Sequence, residues 1–419
     1  MAILGGGLKM SAQWLAIRPE EPLLLGSIKS STNFLGTLNY IPGRVIRGAW
    51  ANWLVSCGSE ENIVEKIKAL RIANFFPAAE WREIEYVSPF LLSMLTCKQD
   101  SGFQKEPIKE RSGHGVLDTL LIQLSYHLLE GKNAKMCVPF SILCQDPKCG
   151  SRMDHEGGFF SAQWDGSSTK YVRFRPKYHT QTRAAISRYR KASFEGMLYT
   201  ATALSPIIEK PDDIKRSADL IFMGRIQGSE DDVEKLIDAL NNTSIGSKCS
   251  IGYGSVSCER ASISLPSLEN RLDAFNSLLA DQWDDLKRLS TNEDILQETF
   301  DRSCLYFSID LMAPAVLKDS NGLPSLFPVL RIGEKIIEPM FWITRPDFAG
   351  GWSETWGLQK HTALAARIGS SYVYKWDGPK ESLIDALKHI EDAGVGERCD
   401  EGFGECWICH PIHQEVNEI

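Results

Sequence analysis

The chain has 419 residues, a formal net charge of −8, 43% hydrophobic residues and 24% charged ones. These values belong to an ordinary globular protein of two or three domains; they exclude extensive disorder and argue against indiscriminate coating of nucleic acid. No apolar run reaches about 18 residues and no signal-peptide core is present, so a cytoplasmic protein without a membrane span is expected. Its eleven cysteines then read as thiols or metal ligands and not as a disulfide framework.

In chain order, residues 12–17 alternate as a strand, and Pro19 and Pro22 mark a turn before the apolar run Leu23-Leu24-Leu25. Pro42 suits the first turn of a helix, along which Ile46, Ala49, Trp50, Trp53 and Leu54 form one apolar face. Arg44 and Arg47 lie off that face near the helix N-terminus, where they either bind a phosphate or are simply solvated. Residues 60–160 are irregular and, with the segment after them, make an insertion of about 60–195. Residues 196–204 and 216–227 read as strands, 231–241 as a helix and 252–258 as a closing strand. A helical connection spans 263–300 between a first unit, 1–262, and a second, 301–419. The second opens on the strand-like 304–311 and continues through a strand at 371–374 and a helix at 381–391. Each half reduces to a β-α-β-β-α-β plan, which predicts an α+β fold of two ferredoxin-like units.

One pattern occurs twice, 150 positions apart. Gly246-Ser247-Lys248-Cys249-Ser250-Ile251-Gly252-Tyr253-Gly254 and Gly396-Glu397-Arg398-Cys399-Asp400-Glu401-Gly402-Phe403-Gly404 both read Gly-x-basic-Cys-x-x-Gly-aromatic-Gly. Each follows a helix-like run containing Leu-Ile-Asp-Ala-Leu, at 236–240 and 383–387, and each precedes a strand-like run. Nucleotide-binding fingerprints have the opposite order of strand, glycine turn and helix, and neither copy is a P-loop. Two readings remain. One is a loop whose glycines allow close backbone approach and whose amides and cation serve a phosphate chain; the other is a helix cap turning into a strand.

From Lys170 to Lys191 there are eight basic residues (Lys170, Arg173, Arg175, Lys177, Arg183, Arg188, Arg190, Lys191) and no acidic ones, with Tyr171, Phe174, Tyr178 and Tyr189 among them. Cations that neutralise phosphates, interleaved with rings that stack on bases, fit single-stranded RNA; a bland solvated face would mix both signs.

The paired units with a glycine loop between last helix and last strand resemble the RAMP superfamily of CRISPR-associated proteins. The matching residues are Tyr40-Ile41-Pro42-Gly43, Arg47-Gly48-Ala49, Gly196-Met197-Leu198-Tyr199, Gly351-Trp352, Gly369-Ser370 and Gly394 to Gly404. In combination they are similar to the Csx-ten-type subunit of type III-D systems. That resemblance implies a Cas-five-like, non-catalytic role: gripping the 5′ tag of a guide RNA, docking the large signalling subunit and a backbone RAMP subunit, and meeting target RNA only indirectly. It also implies that both glycine loops approach RNA, with Lys248 and Arg398 as phosphate cations.

Cys144 and Cys149 flank an Asp-Pro turn, a spacing suited to one metal ion, and Cys97, His114, Cys137 and His155 share the insertion. The resemblance favours Cys97 and His114 as partners, giving a structural zinc held by Cys97, His114, Cys144 and Cys149. Cys406 and Cys409 sit in the predicted closing strand, where period-two alternation separates them, so a buried strand ending near His410 and His413 is expected there. No catalytic residues are assigned. A metal-independent endoribonuclease using a histidine such as His179, and a zinc-stabilised interaction scaffold, are the alternatives.

Overall fold

The computed structural model describes residues 11–26, 34–58, 62–104, 113–136, 141–207, 219–353 and 358–415. Four strands of the first half form an antiparallel sheet in the spatial order Val256–Ala261, Ser11–Pro19, Asp219–Gly228, Arg71–Glu80. Helices Gly43–Ser56 and Glu230–Asn242 cover it, burying Ile46, Ala49, Trp50 and Leu54 from one and Val233, Leu236, Ala239 and Leu240 from the other. The second helix begins where the Ser229 side chain accepts from the Asp232 amide, with three acidic residues in its first turn against the positive helix end. Connectivity and strand order are those of the ferredoxin-like unit.

The second half repeats the sheet, in the order Phe341–Ile343, Ser371–Trp376, Leu305–Leu311, Cys406–Ile408, with helix Lys380–Ala393 in the place of Glu230–Asn242. It departs from the expected plan in one respect. Between Leu311 and Phe341 the described residues form two short hairpins and no helix, as Pro314, Pro324 and Pro328 with Gly322 and Gly333 favour. The sheet is covered instead by Leu268–Lys287, whose Leu272, Phe275 and Leu279 are fully buried, and by Leu120–Gly131, which arrives from the first half with Leu120, Leu121 and Leu124.

The excursion in the first unit lies between Arg71–Glu80 and Asp219–Gly228. Strand Arg71–Glu80 therefore falls inside the segment read from sequence as an insertion; six consecutive buried residues gave it no period-two signal. Strand Ser193–Leu204, read as a return to the domain, pairs instead with Tyr178–Ile186 in a long hairpin. The second unit has a shorter counterpart, Pro346–Ala349 with Ala363–Ala366, also between two strands of its sheet. Within the excursion, Glu83–Pro89, Phe159–Trp164 and Thr169–Phe174 make one small sheet, and Met94–Cys97, Val116–Asp118 and Met153–His155 another. No described helix is long and apolar enough to cross a membrane.

The excursion is tied to the second sheet by a buried charge cluster. His413 Nδ1 lies 2.8 Å from Asp118 Oδ2 and its Nε2 3.0 Å from Asp310 Oδ1, with the imidazole fully enclosed. Burial by itself would lower the His413 pKa, but Asp310 and Asp118 outweigh it and raise it to about 10. Burial likewise opposes the Asp310 carboxylate, and His413 together with the Ser308 hydroxyl holds it down to about 2. At neighbouring His410 burial, joined by the His413 and Arg271 charges, outweighs the pull of Asp310; its pKa is driven down to about 3 and the ring stays neutral.

Asp310→Asn should therefore destabilise the fold by about 3 kcal/mol, the scale for removing one partner of a buried pair. The His413 contribution is complete below its unfolded pKa of about 6.5 and is lost as pH rises through about 10. That of Asp310 is complete above about 4 and is lost as pH falls through about 2. Urea midpoints measured across pH should fall at both ends for the wild type and show both losses diminished in the variant.

Candidate nucleic-acid interface and metal centre

The two glycine loops share one backbone. Lys248 and Arg398 both adopt left-handed conformations, φ 65° and 59°, ahead of single 3-10 turns at Cys249–Ile251 and Cys399–Glu401. Each cysteine thiol faces two preceding carbonyls, Ile245 and Gly246 for Cys249, Val395 and Gly396 for Cys399. The aromatic residues point inward: Tyr253 and Phe403 are buried and anchor the loops from below. The loops also seat alike. The Gly254 amide donates to Pro22 O and that of Ser247 to Leu24 O, as the Gly404 amide donates to Pro314 O and that of Glu397 to Val316 O.

Their surroundings differ. Beside the first loop stands the long hairpin. Lys248 Nζ lies 5.3 Å from the Tyr199 ring centroid and the Arg183 guanidinium 5.9 Å from that of Tyr253. The Tyr253 hydroxyl donates to Gln181 Oε1 at 3.0 Å, and a Cβ at Gly252 would meet nothing within 4 Å. The turn of the hairpin carries Arg188, Arg190 and Lys191, all exposed, around a Tyr189 that is 96% exposed.

The second loop is docked on the first unit. Arg47 Nη1 donates to Asp400 O at 2.9 Å and Oδ2 at 2.8 Å, and the Arg44 guanidinium lies 5.9 Å from the Phe403 centroid. Buried Asn74 accepts from the Gly43 amide at 3.1 Å and donates from Nδ2 to Gly402 O at 2.6 Å and Glu405 Oε2 at 3.1 Å. Arg398 stacks 4.6 Å from Phe403 and makes a two-point contact with Glu401, which also accepts from Lys360 at 2.7 Å. Burial works against the Glu401 carboxylate, but these cations hold it down to about 2. Arg44 and Arg47, for which the sequence left a phosphate site at a helix end and plain solvation both open, face the second loop.

The basic stretch is divided between two elements. Lys170 and Arg173 are on strand Thr169–Phe174, where Lys170 is 3.8 Å from Asp165 and Arg173 2.9 Å from Glu156. Arg175 and Lys177 lead to the hairpin, which holds Arg183, Arg188, Arg190 and Lys191. Arg188, Arg190 and Lys191 are thus exposed together at the turn of the hairpin, while the earlier half of the stretch has acidic neighbours.

The four cysteine and histidine candidates converge. The ligand atoms of Cys97, His114, Cys144 and Cys149 all lie within 4.8 Å of one another, with Cys97 Sγ 3.5 Å from Cys149 Sγ and Cys144 Sγ 3.6 Å from His114 Nδ1. Cys97 ends one strand, His114 precedes the strand paired with it, and Cys144 and Cys149 bracket a turn closed by Cys149 N to Asp146 O at 3.0 Å. Bonds from Ser151 lower Cys149 to about 6, burial pushes Cys144 up to about 12, and the Cys97 contact raises His114. Three thiols and an imidazole converging in this way are suited to a metal ion, which neutralises the thiolates it gathers. His155 lies outside the cluster and Cys137 outside the described residues. Cys406 and Cys409 are buried thiols that join no metal-binding group among the described residues.

Asn74 and the Asp118–His413–Asp310 set had no sequence signal, since their partners are distant in the chain, and neither did the contact of Gln181 with Tyr253, 72 positions away. A two-unit ferredoxin-like protein with a glycine loop closing each unit is the class that this geometry defines. The family model that matches is the RAMP superfamily, over residues 18–257, more than half of the chain; the chain belongs to that superfamily. Similar solved chains occur in a cryo-EM structure of the type III-B Cmr-beta bound to cognate target RNA and AMPPnP, at 12% identity over 90% of this chain and 89% of that one, TM-score 0.40. Another is in the crystal structure of a Csm3–Csm4 subcomplex of the type III-A CRISPR-Cas interference complex, at 13% identity over 86% and 92%, TM-score 0.34. None of the curated proteins matches.

Asn74→Ala should destabilise the protein by about 3 kcal/mol, because it leaves the Gly43 amide and the Gly402 carbonyl without a buried partner and takes one of its two Asn74 bonds from Glu405. Arg47→Ala should cost at most about 1 kcal/mol, since its partner Asp400 is 68% exposed. Denaturant titration of the two variants measures the difference.

Proposed function

We propose that the chain is a non-catalytic, RNA-binding subunit of a type III CRISPR effector, of the Csx-ten type found in III-D systems. In this role it holds the 5′ tag of the guide RNA and docks the large signalling subunit and the first backbone RAMP subunit. The observation that carries the reading is the meeting of the first glycine loop with the basic hairpin. Lys248, Arg183, Arg188, Arg190 and Lys191 lie along one structure with an exposed Tyr189, on a protein whose net charge is −8. Local cations on an acidic chain favour one specific RNA segment over general binding.

Arg398, Gly396, Gly402, Phe403 and Gly404 have a lesser part in this reading, because Glu401 compensates Arg398 and the loop faces the first unit. The non-catalytic assignment is supported by burial of His410 and His413, which keeps both from an exposed phosphate. His179 is exposed on the hairpin and remains the residue that the nuclease alternative would use. We assign zinc to the four-residue cluster, since three sulfurs and one nitrogen are its ordinary structural set. There it would fasten the short strands of the excursion.

RNA recovered with the protein from its native host should consist of guide RNAs sharing one 5′ tag; random fragments or none would overturn the reading, and cleavage by the isolated chain would favour the nuclease. Lys248→Ala should weaken RNA binding and reduce the salt slope by about 0.7, the value for one lost single-strand phosphate contact. Joint replacement of Arg183, Arg188 and Arg190 should reduce it by about 2, and Arg398→Ala should change it least. Metal analysis should find about one zinc per chain, lost on Cys144→Ser or Cys149→Ser, as for a single structural site.

A further inference from the structure

We infer that Gln181 is a positioning residue of the RNA interface, fixing the direction in which Arg183 presents its charge; this rests on the RNA reading above. Gln181 Oε1 accepts from three donors: Arg183 Nε at 3.0 Å, Arg183 Nη2 at 2.7 Å and the Tyr253 hydroxyl at 3.0 Å. Arginine has only donors, so its two bonds settle which end of the amide faces it. The carbonyl is turned inward.

Two consequences follow from that single acceptor. First, the Nε–Nη2 edge of Arg183 is occupied, and the Nη1–Nη2 end is what remains for a phosphate oxygen. The guanidinium is further confined by the Tyr253 ring at 5.9 Å. Second, the amide joins two elements far apart in sequence: Gln181 and Arg183 are on strand Tyr178–Ile186, whereas Tyr253 belongs to the first glycine loop. The basic hairpin is thereby registered against the loop carrying Lys248, whose own ammonium lies over Tyr199, the residue paired with Arg183 across the hairpin. Lys248 and Arg183 are thus each held against a tyrosine ring, Tyr199 and Tyr253, where the hairpin meets the loop. The substrate class this fits is a single-stranded phosphodiester chain, each cation serving one phosphate.

The second loop has no such device. Its cation is held by a carboxylate, Glu401, which cancels its charge. A neutral amide positions a guanidinium without neutralising it. Glutamine at 181 therefore preserves the charge that a glutamate would remove.

The test measures binding of a labelled single-stranded oligouridylate to the full chain over a range of salt, with thermal melting of each variant. Gln181→Leu should weaken binding about five-fold at fixed salt, the scale of ordering one long side chain, and leave the salt slope at its wild-type value. Gln181→Glu keeps an acceptor for Arg183 and Tyr253 but should lower the slope by about 0.7, as Arg183→Ala does. Tyr253→Phe should lower the melting temperature without changing the slope. A wild-type slope in Gln181→Glu, or wild-type affinity in a folded Gln181→Leu, would overturn the positioning role while leaving the RNA reading intact. Absence of wild-type oligouridylate binding, together with absence of guide RNA in the native preparation, would overturn both. Should Gln181→Leu fail to fold, Gln181→Glu alone decides between the two.

Discussion

Close backbone approach at the glycine loops is the constraint on which both halves depend. A Cβ at Gly254 would stand 2.3 Å from Ile245 O, and one at Gly404 would stand 1.9 Å from Val395 O. Only a residue without a side chain allows the loop to fold back on its own start, and the positive φ values there, 93° and 69°, independently favour glycine. Once closed, the loop offers amides to the segment that follows the first strand of the sheet, Pro22 and Leu24 in one unit and Pro314 and Val316 in the other. Helix end, loop and strand are thereby fixed to the opening turn of the domain.

The same closed loop has been put to two uses. In the first unit it is flanked by a hairpin that brings Arg183 next to Lys248 and leaves Gly252 without a neighbour. In the second, the corresponding Gly402 is filled by Asn74, whose Oδ1 would be 2.6 Å from an added Cβ. That side chain belongs to strand Arg71–Glu80 of the first unit, so the surface open in one copy is a joint in the other. The end of helix Lys380–Ala393 strengthens the joint: Arg225 pairs with Asp392 at 3.0 Å and Arg71 bonds the Ala393 carbonyl, placing two cations at the negative end of a helix.

The sequence patterns that survived into the structure are those that act locally or repeat. The glycine loops were legible because the motif occurs twice and its glycines and cysteine act within the loop, and the four metal-cluster residues because Cys144 and Cys149 flank a turn and the resemblance supplied the other two. Helix periods around Trp50 and Leu236 were equally plain. Strand Arg71–Glu80 was missed because it is buried on both faces, which erases alternation. His413 was read as marking the end of the closing strand; its partners Asp118 and Asp310 lie 295 and 103 residues away, a distance at which one sequence contains no pairing signal. The inward aim of Tyr253 and Phe403 was hidden for a related reason, since an aromatic residue in a glycine loop looks the same whether it anchors the loop or stacks on a ligand.

Charge placement separates the two loops more sharply than their shared backbone joins them. The second copy of the motif contains Asp400 and Glu401 where the first contains Ser250 and Ile251. Asp400 holds Arg47 and Glu401 holds Arg398 and Lys360, so three cations at the second loop are paired by the loop's own carboxylates. The first loop has no acidic residue, and its neighbours on the hairpin are positioned by a neutral amide. On a protein with a net charge of −8, an anionic ligand is repelled by the average surface and attracted where cations remain uncompensated. The two differences at positions 250 and 251 relative to 400 and 401 thus leave the first loop without carboxylates of its own, and give the second the carboxylates that pair its cations and help hold the halves together.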